Sequence, residues 1–254
     1  MKSALIVLLA GRGMRFGGPK QLEQVGANGE CIAELSVRDA ALAGFKGAIL
    51  VIREEHRALW EAKTWPIPTS IAIQHQALGT GDALGIGMKL ANSLGYSNWA
   101  VANGDDYYGP IWNEAYRLLA LGLNAALAYP LKSVCSQSGS VSRAILHQDE
   151  DRLLTSIEEL HNLYPEDAAR LGNPWVSMNA WVFQRDLLQW WTKAQMQHQG
   201  DREFGIPDAL RVGISMGASI EVAQVGGSWI GMTHAADKEA VLMYFKGSKN
   251  PLNP

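Results

Sequence analysis

The sequence predicts an α/β fold, a Rossmann-like three-layer sandwich with helices on both sides of a mostly parallel, mixed sheet. Two observations predict this class. Short apolar runs alternate with helical patterns along residues 1–125, as in folds built from strand–helix–strand units. The runs are apolar at every position, which is typical of strands covered by helices on both faces. The 254 residues are enough to bury one large core.

The elements are predicted in chain order from these patterns. The first four strands are predicted at 4–9, 48–52, 70–73 and 99–102, with helices at 32–42, at 54–62 and from 79–82 to about 94. The alternation then loosens, with strands predicted at 125–129, 141–146, 176–183 and 221–225 and helices at 186–197 and 237–245. No internal repeat, charge block or long linker interrupts the chain. We therefore predict a single domain over 1–254, with a frayed tail at 247–254.

Composition and charge narrow the function classes. A net charge of −3 lacks the basic excess of a nucleic-acid-binding protein. Cys31 and Cys135 lie far apart without metal-ligand spacing, which favours a reducing compartment. The apolar run 4–10 ends in basic sequence without a signal-peptide cleavage site, and no apolar stretch is long enough for a membrane span. We expect a cytoplasmic protein that binds neither nucleic acid nor membrane, and a homo-oligomeric state stays open.

Three unusual loops follow the first, third and fourth predicted strands. They cover residues 11–20, 74–82 and 103–109, and each is rich in glycine or polar residues. Ligands of open parallel sheets bind beyond the carboxyl ends of the strands, so the three loops should share one edge. The sequence therefore predicts a phosphate-handling site at this edge.

The first loop carries the residue types that bind phosphate. Its glycines let backbone N–H groups approach an anion, and Arg15 and Lys20 supply positive charge. Two common phosphate loops do not fit. Gln21 follows Lys20 where the Walker pattern needs Ser or Thr, and Phe16 stands where the dinucleotide fingerprint needs Gly.

The first loop resembles that of a known family. Leu9-Ala10-Gly11-x-Gly13-x-Arg15 followed by Pro19-Lys20 is similar to the motif of sugar-1-phosphate nucleotidyltransferases, which share their fold with GT-A glycosyltransferases. The spacing between Arg15 and Pro19 is about two residues shorter than is usual there. It is closer to the spacing in molybdenum-cofactor nucleotidyltransferases.

Four further segments extend the resemblance over most of the chain. Leu78–Ala83 resembles the base-binding turn of uridylyltransferases, and Asn103–Asp106 resembles the Gly-Asp step whose Asp holds Mg²⁺. Gly139–Arg143 with Ile157-Glu158, and Ser177–Phe183, resemble two sugar-binding segments. The resemblance implies a nucleotide-binding half at about 1–125 and an acceptor-binding half at about 126–246.

The resemblance also implies a reaction and its residues. A sugar-phosphate oxygen would attack the α-phosphorus of a nucleoside triphosphate, and pyrophosphate would leave. The implied catalytic residues are Arg15 and Lys20. The implied nucleotide-binding residues are Ala10, Gly11, Gly13, Gln74, Gly79, Thr80 and Asp105. The implied acceptor-binding residues are Gly139, Glu158 and Asn179.

Magnesium is the implied cofactor, with Asp105 as its ligand. Alternation at the strand end points the next carboxylate, Asp106, elsewhere, and leaves it an indirect contact through water. The family commonly adds a second carboxylate in a Trp-x-Asp motif near the C-terminus, where this chain has Gly231 after Trp229. Asp237, further on, is interpreted as a helix-start acid.

The sequence is compatible with three functions. The first is a nucleotidyltransferase that forms an NDP-sugar or NDP-polyol from a nucleoside triphosphate and a phosphorylated acceptor. The second is a molybdopterin-type nucleotidyltransferase, suggested by the short spacing before Lys20. The third is a regulatory protein that binds a nucleotide without catalysis, suggested by Gly231 in place of the second carboxylate.

Overall fold

A mixed sheet of nine strands forms the centre of the described part of the chain. The computed structural model describes residues 2–11, 20–136, 139–226, 229–231 and 237–247. The strands of this sheet are β1 (Ser3–Leu8), β2 (Gly47–Ile52), β3 (Thr69–Ile73), β4 (Asn98–Asn103), β6 (Asn124–Pro130), β7 (Val141–Gln148), β8 (Leu154–Leu163), β9 (Trp175–Phe183) and β10 (Ile220–Gln224). Two short strands, β5 (Asp106–Tyr107) and β11 (Ile230–Gly231), pair with each other as a separate ribbon.

Helices cover both faces of this sheet. They are α1 (Ile32–Ala43), α2 (Arg57–Glu61), α3 (Thr80–Ser93), α4 (Trp112–Ala120), α5 (Pro165–Arg170), α6 (Leu187–Gln197), α7 (Ile206–Ser215) and α8 (Asp237–Gly247). Ala33, Val37 and Ala40 of α1 share one core with α4, and the buried residues of α3, α6 and α7 belong to the other. The predicted three-layer α/β sandwich is confirmed.

The order of the strands explains why the apolar runs are continuous. The sheet runs β10-β6-β9-β4-β1-β2-β3, and β1 pairs in parallel with both β2 and β4. Leu5 and Val7 of β1 pack into one core, while Ala4 and Ile6 pack into the other. Because each face of the strand meets a helical layer, every position of β1 is buried.

One antiparallel strand joins the two halves of the chain. β9 lies between β4 and β6 and pairs antiparallel with both, so that the two halves share a sheet. Its first half also pairs with β7, which forms a long hairpin with β8. This hairpin lies beyond the carboxyl end of β4. No helix in the described ranges is long and apolar enough to cross a bilayer.

The main difference from the sequence prediction lies in β8, which was not predicted. Its buried or half-buried apolar residues recur every third position, at Leu154, Ile157, Leu160 and Leu163. That spacing lacks the alternation of an ordinary strand. The pairing of β7 with β8 shifts register at both ends, so one bulge lets Leu154 and Ile157 pack into one core and the other lets Leu160 and Leu163 pack into the opposite core.

Other unpredicted elements are short or amphipathic. They are α4, α5, α7, β5 and β11. The helix predicted at 54–62 is a 3₁₀ turn at Glu54–His56 followed by α2, which ends at Glu61. The other predicted strands and helices differ from the observed ones by one or two residues at their ends.

Candidate functional site

A cleft of about 510 Å³ opens where the carboxyl end of β4 faces the β7–β8 hairpin. Residues from five parts of the chain line it. They are Gly79 and Thr80; Asn103, Asp105 and Asp106; Ser142–Ala144 and Glu159–His161; Ser177–Asn179; and Arg202, Glu203, Gly205, Pro207, Asp208 and Trp229. The cleft therefore lies at the edge of the sheet where the sequence predicts ligand binding.

Two adjacent carboxylates lie on the floor of the cleft. Asp105 forms an ion pair with Lys20. Asp106 is buried, and the Nδ2 of Asn103 donates a hydrogen bond to its Oδ2 over 2.9 Å. Burial, followed by the nearby charge of Asp105, raises the pKa of Asp106 to about 7. Ionisation of Asp106 is therefore disfavoured unless a cation lies beside it.

The placement of Asp106 differs from the sequence prediction. Strand alternation points its side chain away from Asp105, but both side chains line the cleft. The reason is that β4 ends at Asn103, and the chain turns at Gly104-Asp105 before it enters β5. The two-residue alternation of a strand does not hold through a turn.

Gly231 lies against the Asp106 carboxylate. The two residues are partners in the β5–β11 ribbon. A Cβ atom on residue 231 would overlap both the Oδ1 of Asp106 and the ring of Trp229. The position that resembles a second metal ligand therefore has no room for a side chain, and the carboxylate of Asp106 lies in that space.

The ends of the first loop are held together at the end of β1. Lys20 begins a 3₁₀ turn, and the buried Gln21 donates from its Nε2 to the carbonyl of Gly11 over 3.1 Å. Ala10 is buried directly after β1. Gly13 and Arg15 lie outside the described residues. The structure thus brings Lys20, among the predicted catalytic residues, to Asp105.

The predicted base-binding turn packs against the segment before α7. A Cβ on Gly79, whose φ is +109°, would overlap the backbone of Phe204, and one on Gly81 would lie 2.6 Å from the carbonyl oxygen of Gly205. Backbone hydrogen bonds join the two segments, from Phe204 to Leu78 at 2.7 Å and from Gly81 to Phe204 at 2.8 Å. These glycines therefore allow a close approach of two backbones.

The side chain of Gln74 forms hydrogen bonds that hold this turn. Its side chain is buried, and its Nε2 donates to the carbonyl of Gly79 over 3.1 Å and to the Oδ2 of Asp82 over 2.8 Å. Gly79 and Thr80 line the cleft, whereas Gln74 is not among the described lining residues. Its observed contacts position the turn, and the predicted contact with a base stays a prediction.

The acceptor wall differs from the prediction by one residue. Glu159 lines the cleft, whereas Glu158 lies on the other side of the hairpin. The Oε2 of Glu158 lies 3.0 Å from the Nε2 of His147, and both side chains are exposed. Successive side chains of a strand point to opposite faces, so a one-residue error in alignment exchanges the two glutamates.

Asn179 lines the cleft as predicted for an acceptor contact, whereas Gly139 does not. The backbone of Asn179 has a φ of +56°, and its N–H donates to the Oγ of Ser177 over 3.1 Å. The β6–β9 pairing shifts register next to this residue. A bulge of this kind turns a side chain away from the regular strand direction.

Sequence reasoning missed several lining residues. Arg143 and His161 come from the hairpin, and Arg202 and Glu203 from the segment before α7. Arg143 belongs to a segment that resembles a sugar-binding motif, but its position in the cleft follows only from the hairpin. Asp208 accepts a hydrogen bond from the Gly205 N–H over 2.8 Å and so caps the start of α7.

No protein-family profile and no curated protein matches the sequence. One similar solved structure is a UDP-glucose pyrophosphorylase complexed with UDP-glucose, with a TM-score of 0.72 and 18% identity over 97% of this chain and 100% of that chain. Another is a putative glucose-1-phosphate thymidylyltransferase from Bacillus anthracis in complex with a sucrose, with a TM-score of 0.74 and 13% identity over 96% and 95%. The chain therefore has the fold of sugar-1-phosphate nucleotidyltransferases.

Proposed function

We propose that this chain is a nucleotidyltransferase. It transfers the nucleoside monophosphate part of a nucleoside triphosphate to a sugar 1-phosphate or a similar phosphorylated acceptor, and it releases pyrophosphate. The observation that carries this proposal is the cleft itself. It joins the Asp105–Asp106 pair, with Lys20 bound to it, to a wall of polar side chains that include Glu159 and Asn179.

The pair of aspartates fits a magnesium ion. Carboxylate oxygens are the hard donors that Mg²⁺ prefers, and two adjacent carboxylates at a buried position favour a counter-cation. Across the described residues, no group of three His, Cys, Asp or Glu side chains is placed to hold a metal. Asp105 and Asp106 would therefore share the ion with phosphate oxygens and water. A bound Mg²⁺ supplies positive charge to phosphate oxygens.

Lys20 supplies charge from the protein. Its position at the end of the first loop supports a contact with the triphosphate or the acceptor phosphate, and Arg15 is the second proposed contact. An oxygen of the acceptor phosphate forms the new bond to the α-phosphorus while the bond to the β-phosphate bridging oxygen breaks. The attacking phosphate is already anionic, so no special general base is required. Positioning and charge neutralisation then provide the rate.

The opposite wall suits a hydroxylated acceptor. Glu159 accepts hydrogen bonds, and the amide of Asn179 both donates and accepts them. Ser142 and His161 lie on the same wall, where the His161 Nδ1 is 3.0 Å from the Ser142 Oγ. Such groups match the hydroxyls of a sugar or polyol, and Glu159 replaces Glu158 in the proposed acceptor contacts.

A screen for pyrophosphate release tests the proposal. The four common nucleoside triphosphates and dTTP are each combined with a panel of phosphorylated sugars and polyols in the presence of Mg²⁺. We expect release with one acceptor class, and we expect a pyrimidine nucleotide because the 78–83 turn resembles that of uridylyltransferases. The control is the same mixture with the unphosphorylated sugars, which lack the attacking oxygen.

Two outcomes would replace this proposal. Release with a pterin phosphate and with no sugar phosphate indicates a molybdopterin-type nucleotidyltransferase. Binding of nucleotide without release from any acceptor indicates a regulatory protein.

A further inference from the structure

Arg143 is a cleft residue to which neither the sequence motifs nor the proposed reaction gives a role. It lies on β7 and lines the cleft beside Ser142 and Ala144. Its guanidinium carbon lies 5.3 Å from the centre of the Trp229 ring. A guanidinium on an aromatic face keeps its planar orientation, so its donors are aimed before a ligand binds.

The guanidinium is anchored by neutral groups. Its Nε and Nη2 donate to the carbonyl of Val134 over 3.1 and 2.6 Å, and its Nη1 donates to the carbonyl of Ser142 over 2.9 Å. An arginine has five N–H donors, so one remains on each terminal nitrogen. This pair of donors matches two oxygens of one phosphate.

The charge of Arg143 is not paired within the described part of the chain. No salt bridge joins it to a carboxylate there, whereas the other arginine of the cleft, Arg202, binds Asp208 through both terminal nitrogens. Burial lowers the pKa of Arg143, and the charge of Asp106 opposes that effect. A half-buried cation whose hydrogen bonds go to neutral carbonyl groups pays part of the cost of desolvation, and an anionic ligand would offset this cost.

From this geometry we infer that Arg143, held on Trp229, binds the phosphate group of the acceptor substrate. The inference rests on the proposed function and adds the subsite for the reacting phosphate. Arg143 lies on β7, in the half of the chain that resembles acceptor-binding segments, and its pairing with Leu160 places its side chain on the face of the hairpin opposite to that of Glu159. Arg143 and Asp106 line the same cleft, and Trp229, which the Arg143 guanidinium contacts, lies against Gly231 together with the Oδ1 of Asp106. A phosphate on Arg143 would therefore lie beside the proposed metal site, where the attacking oxygen must be.

The test is calorimetric titration of inorganic phosphate into the full chain. The titration is done in the presence of saturating Mg²⁺ and whichever of ATP, CTP, GTP and UTP binds most tightly, so that the nucleotide loops are occupied. We expect Arg143→Gln to weaken phosphate binding about tenfold and to change nucleotide affinity by less than about twofold. Arg170→Gln is the matched control, because Arg170 is exposed on α5 and pairs with Asp167 outside the cleft.

A second, conservative variant separates the loss of the planar donors from the loss of charge. Arg143→Lys keeps the charge but loses the planar pair of donors, and we expect it to weaken phosphate binding about threefold. Circular dichroism and the urea midpoint check that each variant is folded. The inference is overturned if the folded variants bind phosphate as the wild type does, or if the wild type binds none at 20 mM, a concentration on the order of weak phosphate affinities. It is also overturned if nucleotide affinity falls as much as phosphate affinity.

The outcome is separable from that of the proposed function. Phosphate binding requires no turnover, so an inactive wild type whose phosphate affinity depends on Arg143 overturns the proposed reaction alone. An active wild type whose Arg143→Gln variant keeps its phosphate affinity overturns the Arg143 subsite alone.

Discussion

The two halves of the cleft are built in different ways. On the nucleotide side, site residues follow the ends of parallel strands, as Lys20 and Asp105 follow β1 and β4. On the acceptor side, Arg143 and Glu159 lie within the antiparallel strands β7 and β8. A loop motif is still assigned to the same edge of the sheet if the predicted end of the strand is wrong by one residue. A residue within a strand changes faces with the same shift.

The two sides also differ in how their charges are compensated. The nucleotide side pairs Lys20 with Asp105 inside the protein. The acceptor side holds Arg143 on an aromatic ring and on carbonyl groups. The guanidinium of Arg143 therefore has no carboxylate among its contacts within the described residues, whereas the ammonium of Lys20 has one. The following substitutions test each side, from the largest expected effect to the smallest.

Asp105→Asn is expected to lower turnover most, on the order of 10³-fold or about 4 kcal/mol, because it removes the charge that holds Lys20 and the proposed metal. Steady-state pyrophosphate release measures this effect. Asp151→Asn, on the exposed turn between β7 and β8, is the charge-matched control. We expect Asp106→Asn to lose less activity than Asp105→Asn, and the reverse order would show that Asp106 is the main ligand.

Lys20→Ala is expected to lower turnover on the order of 10²-fold, which is about 2.7 kcal/mol, because a preorganised cation is lost. Arg15→Ala is expected to have an effect of the same order. The exposed Lys193 on α6 provides the control variant Lys193→Ala. Turnover in Lys20→Arg above that of Lys20→Ala would show that the positive charge accounts for the effect. Turnover at the wild-type level in folded Lys20→Ala would refute the role of this residue.

Gly81→Ala tests the packing of the base-binding turn. The added Cβ would lie 2.6 Å from the carbonyl oxygen of Gly205, and relieving this overlap should cost about 2 kcal/mol of unfolding free energy. Gly226→Ala is the matched control, because its Cβ would meet no atom of the described residues within 4 Å, and we expect a change below about 0.5 kcal/mol. Urea unfolding gives both values. Equal stability of the two variants would mean that the turn and the 203–205 segment separate easily.

Glu159→Gln is expected to raise the KM for the acceptor about tenfold, or about 1.4 kcal/mol, and to leave the KM for the nucleotide nearly unchanged. The neighbouring Glu158→Gln should change neither value by more than about twofold, because Glu158 lies outside the cleft beside His147. If only Glu158→Gln raises the KM for the acceptor, Glu158 is the contact residue, as the sequence resemblance implies.

The sequence by itself determined the α/β class, the parallel strands β1 to β4 and the edge of the sheet at which the cleft opens. These features depend on local patterns, because a continuously apolar run identifies a strand buried on both faces, and a polar loop identifies its end. It also identified Lys20, Asp105, Gly79 and Thr80 as residues of one edge, since all four follow strands of the same sheet.

Only the tertiary structure decided which side chains of the acceptor half face the cleft. The bulged pairing of β7 with β8 selects Glu159 over Glu158, and the turn after β4 brings Asp106 beside Asp105. The contact of Arg143 with Trp229 joins residues that are far apart in the chain. Register, turns and long-range contacts arise from the packing of the whole chain, so no local pattern contains them.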